Sequence, residues 1–365
     1  MTLYLDYQAT TPLAPEAYAA MRPWLEEKFA NPHSPHKMGR EAAAVVELAR
    51  AQIGALLPKG GKLYFTSGAT EALNWALRCA GDVRAGLAIA ATEHAAVRDT
   101  AHWLASSGRA LMEMPVNAAG LVDPTISLPT GTGLVATMLV NNEIGAIQPI
   151  AALADRAHAA NALFLCDAVQ GFGRMPIPEG PDLIAISAHK IHGPKGIGAL
   201  WVRDGVPLTP LIHGGGQEGG LRSGTLSPAL CAGFGAAAQL AADRMTDDAA
   251  HIARLWEIAL AMLPTGWEIN GSTTQRYKGN LNIRRDGLDV ARLISDLRSI
   301  AFSAGSACAS GSGRPSHVLR ALGLSDAQAR SSVRIGFGRY TTEDDLRFAL
   351  NQIFVASDQQ GQAFQ

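Results

Sequence analysis

The sequence is poor in charge and in long apolar runs, and each shortage excludes a class of protein. Only 17% of residues are charged, and 31 Lys and Arg residues face 32 Asp and Glu residues, so no basic surface for nucleic acid or acidic lipid is indicated. Apolar runs such as GLVATMLV are far too short to span a bilayer. The first residues, MTLYLDYQATTP, lack the basic and apolar regions of a secretory signal. We expect a soluble cytoplasmic protein with neither membrane nor nucleic acid as a partner.

Cysteine is also scarce. The four cysteines are widely spaced and form no CxxC pair: Cys79, Cys166, Cys231 and Cys308. This spacing argues against a disulfide framework and against a zinc site, and it favours a reducing compartment. We therefore expect no bound metal.

What the chain does contain is an alternation of short apolar strands and longer helical patterns. With 47% hydrophobic residues in 365, a large core is available. Runs that are apolar on both faces and separated by helices predict a mainly parallel sheet covered on each side. A long Ala-rich helical region is predicted around residues 229–263, after which the pattern changes to that of a smaller α+β unit. Six strands are predicted individually: KLYFT, GLAIAA, GLVATMLV, LFLCD, DLIAIS and GALWVR.

Polar residues follow several of these strands, where ligands bind in parallel α/β sheets. TSGATE (66–71) opens a helix whose first N–H groups and Thr70 hydroxyl suit an anion, although ordinary helix capping explains it equally well. Asp167 ends LFLCD and is either a helix N-cap or the partner of a protonated ring nitrogen. Lys190, in ISAHKIHGPKG, is flanked by apolar strand residues that favour an amine nucleophile.

Taken together, these three features match the needs of pyridoxal phosphate (PLP). Its phosphate needs donors, its pyridinium needs a carboxylate, and its aldehyde needs an amine. The segments SGATE, TEH, NNE, DAVQ, SAHK and RSGT, in this order, resemble the fold type I PLP enzymes of the aminotransferase class V family. YLDYQATTP, LRSGT and SAGSACASGSGRPSHVLRALGL are similar to the cysteine desulfurases of the NifS/IscS type.

The resemblance implies an α/β fold with a large PLP-binding domain, whose mainly parallel seven-stranded sheet is covered by helices, and a smaller α+β domain. We place the large domain at residues 15–255. Residues 1–14 and 256–365 would form the small domain, which carries the segment around Cys308.

The resemblance also assigns roles to individual residues. Lys190 would hold the cofactor covalently and move the substrate α-proton, while Asp167 would keep the pyridine nitrogen protonated. His94 would stack on the ring and assist proton transfer, or else be a helix-capping histidine. The remaining cofactor contacts are expected from Gly68, Ala69, Thr70, Asn142, Gln170, Ser187, His189 and Thr225. Thr225 would reach the phosphate of a neighbouring subunit, which implies a homodimer.

For the substrate, Arg334 would pair with the carboxylate of L-cysteine, with Arg339 as the alternative, and Asn31 would lie near it. Cys308 stands in AFSAGSACASGSGRP (301–315), where it is either an incidental small residue or a thiol that must travel. In the family this cysteine takes sulfur as a persulfide and carries it to an acceptor protein, such as an iron–sulfur scaffold. Three rivals remain: a selenocysteine lyase, a class V transaminase acting on keto acids, and a non-catalytic sulfur-accepting protein.

Overall fold

The computed structural model describes residues 2–305 and 315–362. Cys308 lies outside the described residues, and its role stays a prediction. In chain order the strands are β1 (Leu3–Tyr4), β2 (Gly61–Thr66), β3 (Gly86–Ala90), β4 (Leu111–Met114), β5 (Thr132–Met138), β6 (Leu163–Asp167), β7 (Leu183–Ser187), β8 (Gly198–Arg203), β9 (Glu268–Ile269), β10 (Asn280–Arg284), β11 (Ile300–Ala301), β12 (Ser303–Ala304) and β13 (Ser332–Gly336).

The described part of the chain also contains ten α-helices. They are α1 (Pro15–Glu26), α2 (Lys37–Gly54), α3 (Ala69–Cys79), α4 (Ala95–Ser106), α5 (Ile150–Ala159), α6 (Pro228–Met262), α7 (Val290–Asp296), α8 (His317–Ala321), α9 (Asp326–Arg330) and α10 (Glu343–Gln362). The Ala-rich region predicted around 229–263 is α6, which Ser227 caps by accepting the N–H of Leu230. Within the described part of the chain, no helix combines the length and apolar character needed to cross a membrane.

The large sheet is the centre of the fold. Among the described residues it has seven strands in the order β2-β8-β7-β6-β5-β3-β4. The pairs from β7 through β4 are parallel, whereas β8 is antiparallel to both its neighbours. The predicted mainly parallel α/β sheet is confirmed.

Both faces of this sheet are apolar, because helices pack on each side. On β6, Phe164 faces the cluster that includes Val46 of α2 and Phe234 of α6. Its neighbour Leu165 points the other way, into the cluster that contains Trp75 of α3 and Val97 of α4. Successive strand residues point to opposite faces, so a strand buried on both sides must be apolar throughout.

The six strands predicted individually are all present, and the seventh is β4. It lies at the sheet edge, next to β3 alone, and Glu113 on it is exposed. An edge strand buries little surface, so its residues Leu-Met-Glu-Met carry a weaker apolar pattern than the central strands.

The C-terminal part forms a second, antiparallel sheet in the order β12-β13-β10-β9. The start of the chain lies beside it: β1 and β11 form a separate two-stranded parallel sheet, and Asp6 bridges to Gly336 at the end of β13. The domain division predicted at residues 14/15 and 255/256 stays a prediction, and α6 continues through the second boundary to Met262.

Candidate active site

The carboxyl ends of β2, β6 and β7 open into a cavity of about 630 Å³. β2 runs in the same direction as β7, because both are antiparallel to β8, so the helix start after β2 lies at the same edge as Asp167 and Lys190. Eleven residues predicted for the site line this cavity: Gly68, Ala69, Thr70, His94, Asn142, Asp167, Gln170, Ser187, His189, Lys190 and Arg334.

Lys190 ends a short 3-10 turn, Ala188–Lys190, that follows β7. Its Nζ donates to the backbone carbonyl oxygens of Gln8 at 2.6 Å and Ala9 at 2.7 Å. The amine is therefore held at the cavity by the first residues of the chain.

Asp167 is the last residue of β6 and is 4% exposed. One carboxylate oxygen, Oδ1, accepts the N–H of Val169 at 3.0 Å. Burial raises the pKa of Asp167, while the nearby His94 and Lys190 oppose that rise. A cationic group of a ligand would stabilise the ionised form of this carboxylate, because it would offset the free-energy cost of burying the negative charge.

His94 combines the two roles that its sequence leaves open. It is the N-cap of α4, where Nδ1 accepts the N–H of Ala96 at 3.1 Å, and it also lines the cavity. Burial lowers the pKa of His94, which favours the neutral ring. Because Nδ1 acts as an acceptor, the neutral ring carries its proton on Nε2, where it can be donated.

The start of α3 provides backbone donors at one end of the cavity. Glu71 in its first turn accepts the N–H of Ser67 at 2.7 Å, and Arg222 binds Glu71 through Nε at 2.7 Å. Gly198 on β8 allows this helix start to sit close to the sheet, since a Cβ there would lie 2.7 Å from the Gly68 carbonyl carbon. A Cβ on Gly68 itself would meet nothing within 4 Å.

His189 is hydrogen-bonded through Nδ1 to Thr10 Oγ1 at 3.1 Å. Burial, with smaller effects from Lys190 and Lys195, lowers the pKa of His189 to about 4. The ring is therefore neutral near pH 7, and the exposed Lys195 also lines the cavity.

Arg334 lies on β13 at the cavity and is 1% exposed. Its Nη2 donates to Asp6 Oδ1 at 2.6 Å and its Nη1 to the carbonyl oxygen of Asn142 at 3.1 Å, while Nε has no partner among the described residues. Arg339, the alternative, lines a different cavity and pairs with Asp248 at 2.6 Å. Lys190 lines both cavities, but of the two arginines only Arg334 shares a cavity with Asp167 and His94.

Gln170 is already hydrogen-bonded at both ends of its amide. Its Nε2 donates to the carbonyl oxygen of Gln8 at 2.9 Å, and its Oε1 accepts from Arg174 Nη1 at 2.7 Å. The side chain of Asn142 faces the same cavity, whereas its neighbour Asn141 donates to the Thr92 carbonyl oxygen. Their predicted contact with the cofactor's 3-oxygen stays a prediction.

Two predicted residues do not line the cavity. Asn31 is exposed, and its side chain accepts the N–H of His33 at 2.9 Å. Thr225 is exposed in this chain. Cys308 lies outside the described residues, so the structure does not place it.

The structure adds residues to the cavity that the sequence interpretation missed: Gln8, Ala9, Thr10, Ser67, Leu73, Ala96, Met138, Val169, Lys195 and Gly196. The polar run YQATT was a usable signal for Gln8 and Thr10, because it directly follows a short strand. Lys195 stands in the Gly/Pro turn HGPKG, five residues after Lys190, where it resembles an ordinary surface lysine.

A parallel sheet covered on both faces, with a lysine, an aspartate and a histidine meeting at its carboxyl edge, is the architecture of the fold type I PLP-dependent enzymes. The family model for class V aminotransferases matches residues 3–348. This chain belongs to the aminotransferase class V family.

The curated relatives of this chain are named as cysteine desulfurases. The chain is 41% identical to "Cysteine desulfurase IscS" of Rickettsia typhi, over 97% of this chain and 90% of that protein. Among solved structures, a NifS-like protein from Rickettsia africae superimposes with a TM-score of 0.88 at 30% identity, covering 97% of this chain and 99% of that one. "SspA in complex with cysteine" gives a TM-score of 0.82 at 33% identity, with 93% and 100% coverage.

Proposed function

We propose that this protein is a PLP-dependent cysteine desulfurase. It would convert L-cysteine to L-alanine and transfer the sulfur to Cys308 as a persulfide. The observation that carries the proposal is the meeting of Lys190, Asp167, His94 and Arg334 in one cavity of a chain that matches cysteine desulfurases over 97% of its length.

The cavity fits PLP at three points. Lys190 supplies the amine for its aldehyde, and the buried carboxylate of Asp167 supplies a partner for a protonated ring nitrogen. The other end offers the N–H groups at the start of α3, with the hydroxyls of Thr70 and Ser187 and the ring of His189, for a phosphate. Gly68 leaves space there, because a Cβ would meet nothing within 4 Å. When bound, PLP supplies an electron sink for the pair left on the substrate α-carbon.

His94 and Lys190 have complementary tasks around that cofactor. The neutral His94 ring lines the cavity, and with Nδ1 accepting from Ala96 it keeps a proton on Nε2, so we expect it to stack on the cofactor ring and to assist proton transfer. The Lys190 amine lines the same cavity as Asp167 and His94, so we assign it the substrate α-proton.

Arg334 would bind the substrate carboxylate. Its guanidinium is oriented by Asp6 and by the Asn142 carbonyl oxygen, and Nε keeps a donor without a partner among the described residues. A charge-assisted contact of this kind orients the substrate as well as binding it. We keep Asn31 as a substrate contact only as a hypothesis, because it does not line the cavity.

The sulfur transfer balances without a further reactant. A bond forms between the Cys308 thiolate sulfur and the substrate sulfur, and the substrate carbon–sulfur bond breaks. The electron pair stays with the three-carbon fragment, which is protonated to L-alanine. The Cys308 persulfide is then passed to a thiol of an acceptor protein, for which an iron–sulfur scaffold is our first expectation.

Two further features of the proposal concern the whole protein. Thr225, exposed in this chain, would reach the phosphate site of a second copy in a homodimer. The widely spaced cysteines favour a reducing compartment, so we place the protein in the cytoplasm.

The test is L-alanine release from L-cysteine with a reductant present, for the wild type, Cys308→Ala and the matched control Cys79→Ala. Cys79 is partly buried and lies at the end of α3. We expect the wild type and Cys79→Ala to release alanine at similar rates, and Cys308→Ala to lose nearly all activity.

Equal activity in the wild type and Cys308→Ala would contradict the persulfide route. Selenocysteine and keto acids would then be the substrates to assay, as a selenocysteine lyase or a transaminase requires. A purified wild type that binds no PLP and absorbs no visible light would favour the hypothesis of a non-catalytic sulfur-accepting protein.

A further inference from the structure

A second cavity of about 520 Å³ lies on the other side of Lys190 from the catalytic cavity. We call it the rear cavity. It is bounded by the segment from Gly173 to Pro176, by one face of α6 between Ala241 and Ile252, and by residues near Arg276 and Arg339. Lys190 lines both cavities. The volume is in the range of small-molecule sites.

The charge around the rear cavity is unbalanced. Arg339 is neutralised by Asp248 at 2.6 Å, and Lys278 pairs with Glu257 at 3.4 Å. Within the described part of the chain, Arg174 and Arg276 have no carboxylate within 4.0 Å, although both line the cavity.

The hydrogen-bond partners of these two arginines are neutral oxygens, and each guanidinium also lies over an aromatic ring. Arg174 donates to the carbonyl oxygens of Tyr7 and Lys190 and to Gln170 Oε1. Arg276 is 5% exposed and donates to carbonyl oxygens, among them those of Ser272 and Asn280. Burial lowers the pKa of Arg276 to about 10, so it remains charged at neutral pH. Two guanidinium charges are thus left without a counter-ion in a partly enclosed space.

His192, which also lines the rear cavity, does not change the charge balance of the lining. Burial lowers the pKa of His192 to about 4, and its Nδ1 is hydrogen-bonded to the carbonyl oxygen of Pro12 at 2.9 Å. The ring is therefore neutral at pH 7, and among the described residues that line the cavity Asp248 is the one carboxylate.

Apart from Thr246 and Lys190, most of the remaining lining is apolar. Met175, Pro176, Ile191, Met245 and Ile252 line the cavity together with the rings of Tyr7 and Tyr277. Burying this apolar surface against an apolar part of a ligand would be favourable, and an anionic group on the same ligand would neutralise the charge of an arginine.

We propose that the rear cavity binds a small organic anion with an apolar body, of the class of aryl or branched aliphatic carboxylates. Its carboxylate would pair with Arg174 or Arg276. Because Arg174 also holds Gln170 Oε1 and the Lys190 carbonyl oxygen, such a ligand would contact a residue that supports the catalytic cavity.

Calorimetric titration of the purified protein, with its cofactor, tests this with 3-phenylpropionate as the probe and 3-phenyl-1-propanol as its uncharged counterpart. Ala249→Trp fills the rear cavity from an exposed position on α6. Ala250→Trp is the matched control, because it is exposed on the same helix and does not line the cavity.

We expect the carboxylate to bind the wild type and Ala250→Trp with equal affinity, and Ala249→Trp about tenfold or more weakly. The alcohol should bind the wild type at least about tenfold more weakly than the carboxylate, since it forms no charge-assisted contact. Equal affinity in all three proteins would place the probe elsewhere, at Arg334 for instance, and would overturn the proposal. So would equal binding of the alcohol, or no heat at millimolar probe.

Discussion

At the residue scale, the position of Arg334 separates it from Arg339. Both are nearly buried, with side chains 1% and 6% exposed, and each pairs with an aspartate. Arg334 lines the cavity that also contains Asp167 and His94, whereas Arg339 lines the rear cavity, which shares only Lys190 with it among the described residues. A substrate bound beside Asp167 and His94 would therefore lie in the cavity of Arg334.

Arg334→Ala should raise KM for L-cysteine, because it removes a charge-assisted contact with the substrate carboxylate. The loss is about 1.5–3 kcal/mol, or about ten- to hundredfold in KM. Steady-state alanine release measures it, with Arg339→Ala as the matched control. An unchanged KM in Arg334→Ala, with a raised one in Arg339→Ala, would move the carboxylate site to Arg339.

At the element scale, the segment after β5 is tied to the start of α8. The Ser316 hydroxyl donates to Glu143 Oε2 and also accepts the N–H of Leu319, which makes Ser316 the N-cap of α8. Next to it, His317 is hydrogen-bonded to the carbonyl oxygen of Glu93 at 2.9 Å. Residues 315–317 are therefore fixed directly after the part of the sequence that contains Cys308.

Glu143 makes this connection pH-dependent. It is 3% exposed, and burial raises its pKa from 4.5 to about 7, although Ser316 and Arg334 act in the opposite direction. The folded protein thus holds a proton that the unfolded chain has released. The stability that Glu143 contributes is complete below about pH 4.5 and is lost as the pH rises through about 7.

Glu143→Gln should remove this dependence, since the amide stays neutral and its oxygen still accepts from Ser316. Relative to the wild type, the variant should gain about 2–3 kcal/mol in unfolding free energy between pH 5 and pH 8. Urea unfolding at both pH values measures the change, and Glu27→Gln, at an exposed position, is the control. The same difference from the wild type at both pH values would show that Glu143 does not titrate in this range.

At the scale of the whole molecule, the first residues of the chain join its distant parts. Asp6 binds Arg334, the carbonyl oxygens of Gln8 and Ala9 bind Lys190, and Thr10 binds His189. The strand β1 is held by β11 from the C-terminal part. The site is thus completed by segments that are far apart in sequence.

In a homodimer, a second chain would also contribute a residue to the site. Mixed dimers test whether Thr225 acts across the interface between the two subunits. Thr225→Ala should weaken PLP binding at the site of the other subunit, whereas Lys190→Ala should abolish activity at the site of the subunit that carries it. A hybrid of the two variants contains one site with an intact Lys190 and an intact Thr225 from the other subunit. We expect that site to be active.

The measurement is alanine release by separately tagged hybrids, purified after co-expression, at limiting PLP. Activity near half that of the wild type, above that of either homodimer, is the expected result. Hybrids no more active than Thr225→Ala itself would show that Thr225 serves its own subunit. A chain that sediments as a monomer would remove the homodimer from the proposal.

The sequence alone determined the layered α/β fold and placed Asp167 and Lys190 at strand ends, while the family resemblance supplied most of the other predicted residues that line the cavity. Buried strands such as LFLCD must be apolar on both faces, and a polar group such as Asp167 or Lys190 is then tolerated only where the strand ends. Both features are local, so a single sequence reveals them. The edge strand β4 was not predicted, because the exposed Glu113 and the partly exposed Leu111 and Met112 weaken the same local pattern.

Only the tertiary structure decided which distant residues meet. It placed Arg334 in a cavity with Asp167 and His94 and placed Arg339 in the rear cavity. It also brought Gln8 and Ala9 to Lys190, joined Glu143 to Ser316 and enclosed the rear cavity beside Arg174 and Arg276. These contacts depend on strand order and on how the second sheet packs against the first. No periodicity along the chain encodes them, because each joins residues whose local sequences are independent of one another.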